Sequence, residues 1–356
     1  MAEIDADWGV ERVIAVHDKA TGLRAVIVID SSDLGPALGG IRLQRYESQA
    51  AAVTECRRLA RAMTLKNTLA ETGYGGGKTV VAWTDDIESR DGALRALGKI
   101  VAELGGLYIP ASDIGTSADD LAVVGHGGAD VAGGDTDTSL STATGVHAAL
   151  RAAARHVGLP QNLGGVSVCI QGAGKVGSRL ARLLVADGAL VRVSDLDSDR
   201  VARLAAETGA QVVEPTQVIE ADCDVLAPCA TGGMISPRDV ARLGCRIVAG
   251  AANNVLTHPE VARALSARRI VFVPDFVASA GGVIQVQALR GGWDTTRLDA
   301  RLQAIGDTVA RILADAESSD QSTVDIAETM AAARLAGAAK RSTHLPPPTH
   351  SHPVTS

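Results

Sequence analysis

A strand-like run, Val166-Ser-Val-Cys-Ile-Gln171, leads directly into Gly172-Ala173-Gly174-Lys175-Val176-Gly177 and then a helical stretch. No other segment limits the fold so sharply. Glycine at 172 permits the tight strand-to-helix turn. Glycine at 174 lets backbone approach a pyrophosphate at the positive end of the helix, and glycine at 177 lets helix and strand pack closely. Asp195 ends the next strand-like run, ALVRVSD, where a carboxylate accepts hydrogen bonds from an adenosine ribose. The runs VSVCIQ, ALVRVSD, CDVLAP, CRIVAG and RIVFVPD alternate with helical stretches, which predicts a Rossmann-type doubly wound parallel sheet. Asp197 and Asp199 disfavour a ribose 2′-phosphate, whereas Arg192 and Arg200 work the other way; NAD is favoured over NADP.

The chain has 356 residues, enough for about two domains. Its net charge of −7 argues against a general nucleic-acid binder or an anionic-membrane binder. No apolar window is long enough to span a bilayer. The opening MAEIDADWGV lacks the basic-then-apolar order of a secretion signal. Five scattered cysteines form no CxxC and read as small buried hydrophobes in a reducing cytoplasm; no metal site is expected. Aromatics are only 2%, so the core must be built from Ala, Val, Leu and Ile. A cytoplasmic homo-oligomer is expected.

In the first half, 13–17 and 24–30 read as strands, and a helix starts after Ser48 as N-cap. Its apolar stripe is Val53, Cys56, Ala60 and Met63, with Lys66 on the flank of that stripe. Gly75-Gly76-Gly77-Lys78 precedes the strand-like TVVAW. A helix over 92–104 leads to a short strand at 107–109, then a loop at Pro110-Ala111-Ser112-Asp113. Residues 125–139 read as a Gly/Asp-rich interdomain loop, and Ser141 as the start of the next helix. Helices are expected at 297–316 and 322–340, and the Pro/Ser/Thr-rich end is expected to be disordered.

Lys66 and Lys78 beside glycine-rich backbone, together with Asp113, suit a small anionic carbonyl substrate. One ammonium would bind a carboxylate. The other, its pKa lowered by burial and by the first lysine, would polarise a carbonyl or imine, and the aspartate would shuttle protons. Taken singly, each lysine reads more readily as a solvated surface charge. GGGK lacks the spacing of a phosphate loop.

GPALGGIR, RAMTLKN, GGGKTVV, SDIGT, QGAGKVG, DVLAPCATGG, AGAANN and VPDFVASAGGVIQV occur in this order. From about Thr21 to about Arg334 the chain resembles the Glu/Leu/Phe/Val dehydrogenase family, on the leucine, valine and phenylalanine branch. The resemblance implies an α/β protein of two domains with a cleft between. Residues 1–140 would bind substrate, 141–295 would form the NAD-binding Rossmann domain, and 296–340 would return to the first domain, leaving 341–356 as the tail. It implies oxidative deamination of an L-amino acid by NAD and water to a 2-oxo acid, ammonia and NADH. Lys66 matches the lysine that holds the substrate carboxylate, Lys78 the catalytic lysine, and Asp113 the acid/base aspartate. Gly39 and Gly40 match the glycine pair lining the cleft. Ala251 and Asn253 fall where the chain packs on the nicotinamide, and Ala230, in DVLAPCATGG, joins the cofactor contacts.

Where the family usually reads NAGG, this chain has Ser279-Ala280-Gly281-Gly282. The resemblance places Leu38, Ala111, Val283 and Val286 around the substrate side chain, with Ser279 facing the substrate. All four pocket residues are aliphatic, so a second carboxylate would be buried without a partner. Leucine, valine and isoleucine are the expected substrates. Phenylalanine or tryptophan is the second reading, and a catalytically weak NAD- or amino-acid-binding relative the third.

Overall fold

The computed structural model describes residues 9–342 apart from 86 and 135. The first half is built on β1 (Arg12–Asp18), β2 (Leu23–Ser31), β3 (Ala37–Gln44), β4 (Gly75–Ala82) and β5 (Tyr108–Ser112), in the order β1-β2-β4-β3-β5. β1, β2 and β4 run antiparallel to one another in turn, whereas β4, β3 and β5 are parallel. Three helices accompany them: α1 (Gln49–Leu69), α2 (Arg90–Glu103) and α3 (Ala118–His126).

Ser48 caps α1 by accepting the Ala51 amide. The buried stripe of this helix is Ala52, Cys56, Leu59 and Ala60; Val53 and Met63 are only partly covered, so the expected stripe is shifted. The strand β4 takes in all of GGGK, contrary to the expectation that it starts later. The reason is contact with α1. A Cβ on Gly76 would lie 2.1 Å from the Thr64 amide nitrogen, so only glycine lets α1 settle directly on the central strand. That approach brings Lys66 and Lys78 into one neighbourhood. Likewise, β5 continues through Pro110 to Ser112, where a loop was expected; it is an edge strand, where proline is tolerated.

α4 (Ser139–His156) follows, beginning two residues before the expected Ser141. The loop expected from residue 125 starts only after α3 ends at His126. Then come β6 (Ser167–Gln171), α5 (Lys175–Ala186), β7 (Leu190–Ser194), α6 (Ser198–Thr208), β8 (Gln211–Val212), β9 (Val225–Pro228), β10 (Ile247–Val248), α7 (Glu260–Ala267) and β11 (Val271–Phe272). These six strands are parallel, in the order β11-β10-β9-β6-β7-β8. The order reverses between β6 and β9, the position at which such sheets open a ligand crevice.

The chain closes with α8 (Asp275–Ala278), α9 (Gly281–Arg290), α10 (Thr295–Glu317) and α11 (Thr323–Ser342). The last two helices hold the end of α1. Arg301 donates to Ala70 O at 2.8 Å, and Arg334 to Thr68 O and Leu69 O at 3.2 and 3.1 Å. Both pair with Glu71. The tail expected to be disordered lies, from 343 on, outside the described residues, as do residues 1–8. Cys56, Cys169, Cys223 and Cys245 are buried and Cys229 partly so, all as free thiols. Among the described residues, no helix is long and apolar enough to cross a membrane.

Candidate active site

A cleft of about 370 Å³ lies between the first sheet and the second. Its walls include Leu38, Gly39, Gly40, Lys66, Lys78, Ala111, Asp113, Val176, Ala251, Asn253, Ser279, Val283 and Val286. Residues singled out from seven separate stretches of sequence therefore meet at one place.

Strand geometry sets the floor. Gly40 and Arg42 share one face of β3, because side chains alternate along a strand. A Cβ at Gly40 would stand 2.7 Å from the Asp113 Cβ and 3.2 Å from Lys78 Nζ, so glycine is what admits both groups. The Asp113 turn is fixed by its own amide donating to Thr116 Oγ1 at 2.9 Å, and that hydroxyl in turn donates to Ile41 O.

Lys78 is buried and its Nζ lies 2.8 Å from Asp113 Oδ2. Burial lowers the Lys78 ammonium below the ordinary lysine range, against the pull of Asp113, and the Arg42 charge lowers it further. Arg42 is thus a cation that the sequence reading did not include, beside Lys66, whose charge and that of Lys78 also repel each other. Burial acts to raise the Asp113 carboxyl, but the charges of Lys78 and Arg42 outweigh it and hold the group below the usual carboxylate range. Lys66 is buried at the edge of the cleft. Burial, opposed by Asp275 and helped by Lys78, brings its ammonium down to about 8. Its Nζ donates to Asn253 Oδ1 at 2.8 Å. Asn253, placed by the resemblance beside the nicotinamide, therefore also touches the lysine assigned to the substrate.

Ser279 lines the cleft, but its hydroxyl lies 2.6 Å from Asp275 O and 3.4 Å from Asn253 Oδ1. A hydroxyl has one proton to donate, and the shorter contact, to the turn before it in its own helix, takes it. Asp275, half-buried, accepts the Val255 amide at 2.9 Å and so fixes the loop that carries Asn253. Burial raises its carboxyl above the usual range.

Leu38, Ile109, Ala132 and Val286 form a small buried cluster, with Tyr74, Ala111 and Val283 against it. Among the described residues, its members are all hydrophobic. Sequence reasoning missed Tyr74, Ile109 and Ala132 there, and Arg42, Glu55 and Asp275 beside the lysines. For Arg42 a signal existed: it stands two residues past Gly40 in GGIR and so shares its strand face. Among the described residues, no group of three or more His, Cys, Asp or Glu is arranged to hold a metal ion.

The remaining predicted cofactor residues gather at the β6–α5 turn. Gly172 has φ +105°, and a Cβ there would meet Ala230 at 2.8 Å. A Cβ on Gly177 would strike Gly172 O at 1.9 Å, whereas Gly174 faces open space at the start of α5. No side chain caps that helix, so the first amides of Lys175 and its neighbours are left for an anion. Asp195 Oδ2 accepts the Ala173 amide at 2.7 Å, which ties the ribose-type carboxylate to the turn. Leu196 is 92% exposed beside it, an apolar face that the sequence reading did not single out. Arg200 lies 3.6 Å from Asp195 and 3.2 Å from Asp197, while Arg192 turns away to Asp222 O and Gln211. A glycine cradle, an uncapped helix and a carboxylate at this spacing fit a dinucleotide.

A doubly wound sheet that opens at its switch point onto two buried lysines and a paired carboxylate makes this chain an oxidoreductase of the dehydrogenase class. Family models bear this out: Glutamate/Leucine/Phenylalanine/Valine dehydrogenase matches residues 133–342, and the Glu/Leu/Phe/Val dehydrogenase dimerisation domain matches 10–127. The chain belongs to this family of amino-acid dehydrogenases. It is 36% identical to a leucine dehydrogenase of Bacillus cereus over 94% of this chain and 93% of the relative. It is 39% identical to a valine dehydrogenase of Streptomyces coelicolor over 94% of each. The solved L-tryptophan dehydrogenase of Nostoc punctiforme superposes with a TM-score of 0.83 at 33% identity, covering 94% of this chain and 97% of that one.

Proposed function

We propose that this dehydrogenase performs the reversible, NAD-dependent oxidative deamination of a branched-chain aliphatic L-amino acid to its 2-oxo acid and ammonia. The observation that carries the reading is the Lys78–Asp113 pair at 2.8 Å, set beside an uncharged aliphatic cluster. Charged Lys66 binds the substrate carboxylate, with Asn253 orienting its ammonium. Leu38, Ala111, Val283 and Val286 receive the side chain. One methylene there is worth only ~1–3 kcal/mol, so leucine, valine and isoleucine are all accepted. Gly40 keeps the strand clear beside Lys78 and Asp113, whereas Gly39 answers to the close approach of Gly77 O.

NAD, held by the turn 172–177, Asp195, Ala230 and Ala251, supplies the hydride acceptor. Once the α-carbon is an iminium, a water beside Lys78 attacks it. Lys78 Nζ, made less basic by burial, takes the proton from that water. Asp113 passes that proton from Lys78 to the amino nitrogen; neutral Lys78 then takes the hydroxyl proton as the carbon–nitrogen bond breaks, so that ammonia leaves and the oxo carbonyl forms. A closed cleft keeps competing water out. Ser279 packs behind Asn253 and completes the substrate wall.

The same reading divides the chain at about residues 140 and 295 and makes the protein a homo-oligomer, in line with the family's name for its first part. The direct test runs the reaction backwards. Purified protein, NADH, 15N-ammonia and 4-methyl-2-oxopentanoate should yield L-[15N]leucine. Turnover of 2-oxoglutarate in preference to this oxo acid, or no nitrogen incorporation, overturns the proposal.

A further inference from the structure

Asp113 is gripped by one oxygen only. Lys78 Nζ lies 2.8 Å from Oδ2, and Arg42 Nε donates to the same Oδ2 at 2.9 Å. Among the described residues, Oδ1 has no hydrogen-bond partner. The other arm of the same guanidinium, Nη1, donates to Glu55 Oε1 at 2.7 Å. Glu55 Oε2 in turn accepts from Arg58 at 2.8 Å. A row of alternating charge thus runs from the cleft to the surface: Lys78, Asp113, Arg42, Glu55, Arg58. Arg42 is 12% exposed, so the bridge sits largely out of water.

We infer that Arg42 is a positioning residue for the deamination proposed above: by clamping Asp113 through Oδ2, it presents Oδ1 as the oxygen that exchanges the substrate's proton. A fork reaching two carboxylates in a fixed plane suits arginine and not lysine. Glu55 holds the fork in register. Without Arg42, the Asp113 side chain is free to turn and offer either oxygen to Lys78.

Arg42 also sets the charge balance. Lys78, Asp113 and Arg42 carry one net positive charge when all are ionised, which favours ionised Asp113 and neutral Lys78. The other charged or titratable groups around the pair are Lys66, Glu55 and Cys56 from α1, Tyr46 after β3, Tyr108 from β5, and Asp275 beside Lys66. Burial pushes the Cys56 thiol and the Tyr46 hydroxyl up to about 12 and Tyr108 higher still, so none of the three titrates in the working range. Removing the Arg42 cation shifts both Asp113 and Lys78 toward higher pH. Removing the Glu55 anion shifts both toward lower pH. A merely structural contact moves neither.

The inference rests on the proposed reaction, and its test separates the two. Lys78 ionisation is followed without turnover, by the pH dependence of its acetylation with trace acetic anhydride, read by mass spectrometry. The same variants are then assayed for kcat and KM across pH. Arg42→Gln should raise the labelling midpoint of Lys78 and move both limbs of the kcat/KM profile to higher pH. It should lower kcat roughly 10-fold or more, with a smaller change in KM. Glu55→Gln should move the midpoint and the limbs the opposite way. Arg42→Lys should keep the midpoint near wild type while recovering kcat only in part. If Arg42→Gln does not fold, as judged by circular dichroism, Glu55→Gln decides alone. Midpoints and limbs that coincide with wild type in the folded variants overturn the role of Arg42. A wild type that labels as expected but deaminates no amino acid overturns the reaction and not the charge relay.

Discussion

Lys66 Nζ donates to Asn253 Oδ1 at 2.8 Å, joining residues 187 apart in sequence across the cleft between the two sheets. The bond ties α1, which packs on the glycines of β4, to the loop that Asp275 fixes on the nucleotide side. It also stabilises the charged form of an ammonium that burial works to neutralise.

That tension has a pH signature. With its ammonium brought down to about 8, Lys66 is charged below that pH and neutral above it in the unliganded protein. A carboxylate ligand without an amino group, such as 4-methylpentanoate, does not titrate there itself. Its dissociation constant should be flat below pH 8 and rise above it, approaching tenfold per pH unit. Lys66→Gln should bind weakly with no such rise. Asn253→Ala removes a bond to a charged group, worth about 1.5–3 kcal/mol, and should weaken binding roughly 10-fold or more at pH 7. Calorimetric titration checks all three, and a wild-type profile that is level to pH 10 contradicts the role given to Lys66.

Lys78 and Asp113 should prove inseparable in turnover. Lys78→Ala and Asp113→Asn should each reduce kcat by roughly 10²-fold or more, while NAD still binds. The asparagine is nearly isosteric but takes no proton. Fluorescence titration with NADH checks that the cofactor site survives. Wild-type-like turnover in either variant removes the mechanism.

Cofactor choice rests on Asp195. Burial acts to raise this carboxyl, but the Asp197 and Ala173 amides and the Arg200 charge hold it below its usual range, so it is ionised at working pH. Arg200, the cation near enough to welcome a 2′-phosphate, is already paired with Asp195 and Asp197. The ratio of kcat/KM with NAD to that with NADP should be well above one, and Asp195→Ala should narrow it. A ratio near or below one in the wild type contradicts the assignment.

The nucleotide half was legible because its signal is local: turn, helix start and strand end lie within one short stretch, Gly172 and Gly177 answer to close backbone contacts, and Gly174 leaves the helix start open. Lys66, Lys78 and Asp113 were found from the order of the motifs and the resemblance it carries. What escaped was set by approach across the fold. The strand β4 reads poorly as a strand because glycine is depleted in strands, yet the closeness of Thr64 demands glycine there. Pro110 reads as a loop until β5 is seen to lie at the sheet edge. Arg42 and Asp113 are 71 residues apart, and only the pairing of β3 with β5 brings them together. Ser279 was expected to face the substrate; it does line the cleft, but its proton goes to Asp275 O, a bond that depends on the turn of α8 and not on spacing.

On the proposed reading, Lys78 and Asp113 deaminate an amino acid whose side chain lies against Leu38, Ala111, Val283 and Val286. The most direct measurement is NADH formation from each of the twenty L-amino acids with NAD at alkaline pH, read as kcat/KM. Leucine, valine and isoleucine should lead, with glutamate near background. A lead for glutamate, or a clear preference for phenylalanine or tryptophan over leucine, would contradict the aliphatic pocket, and no turnover of any amino acid would contradict the catalytic reading itself.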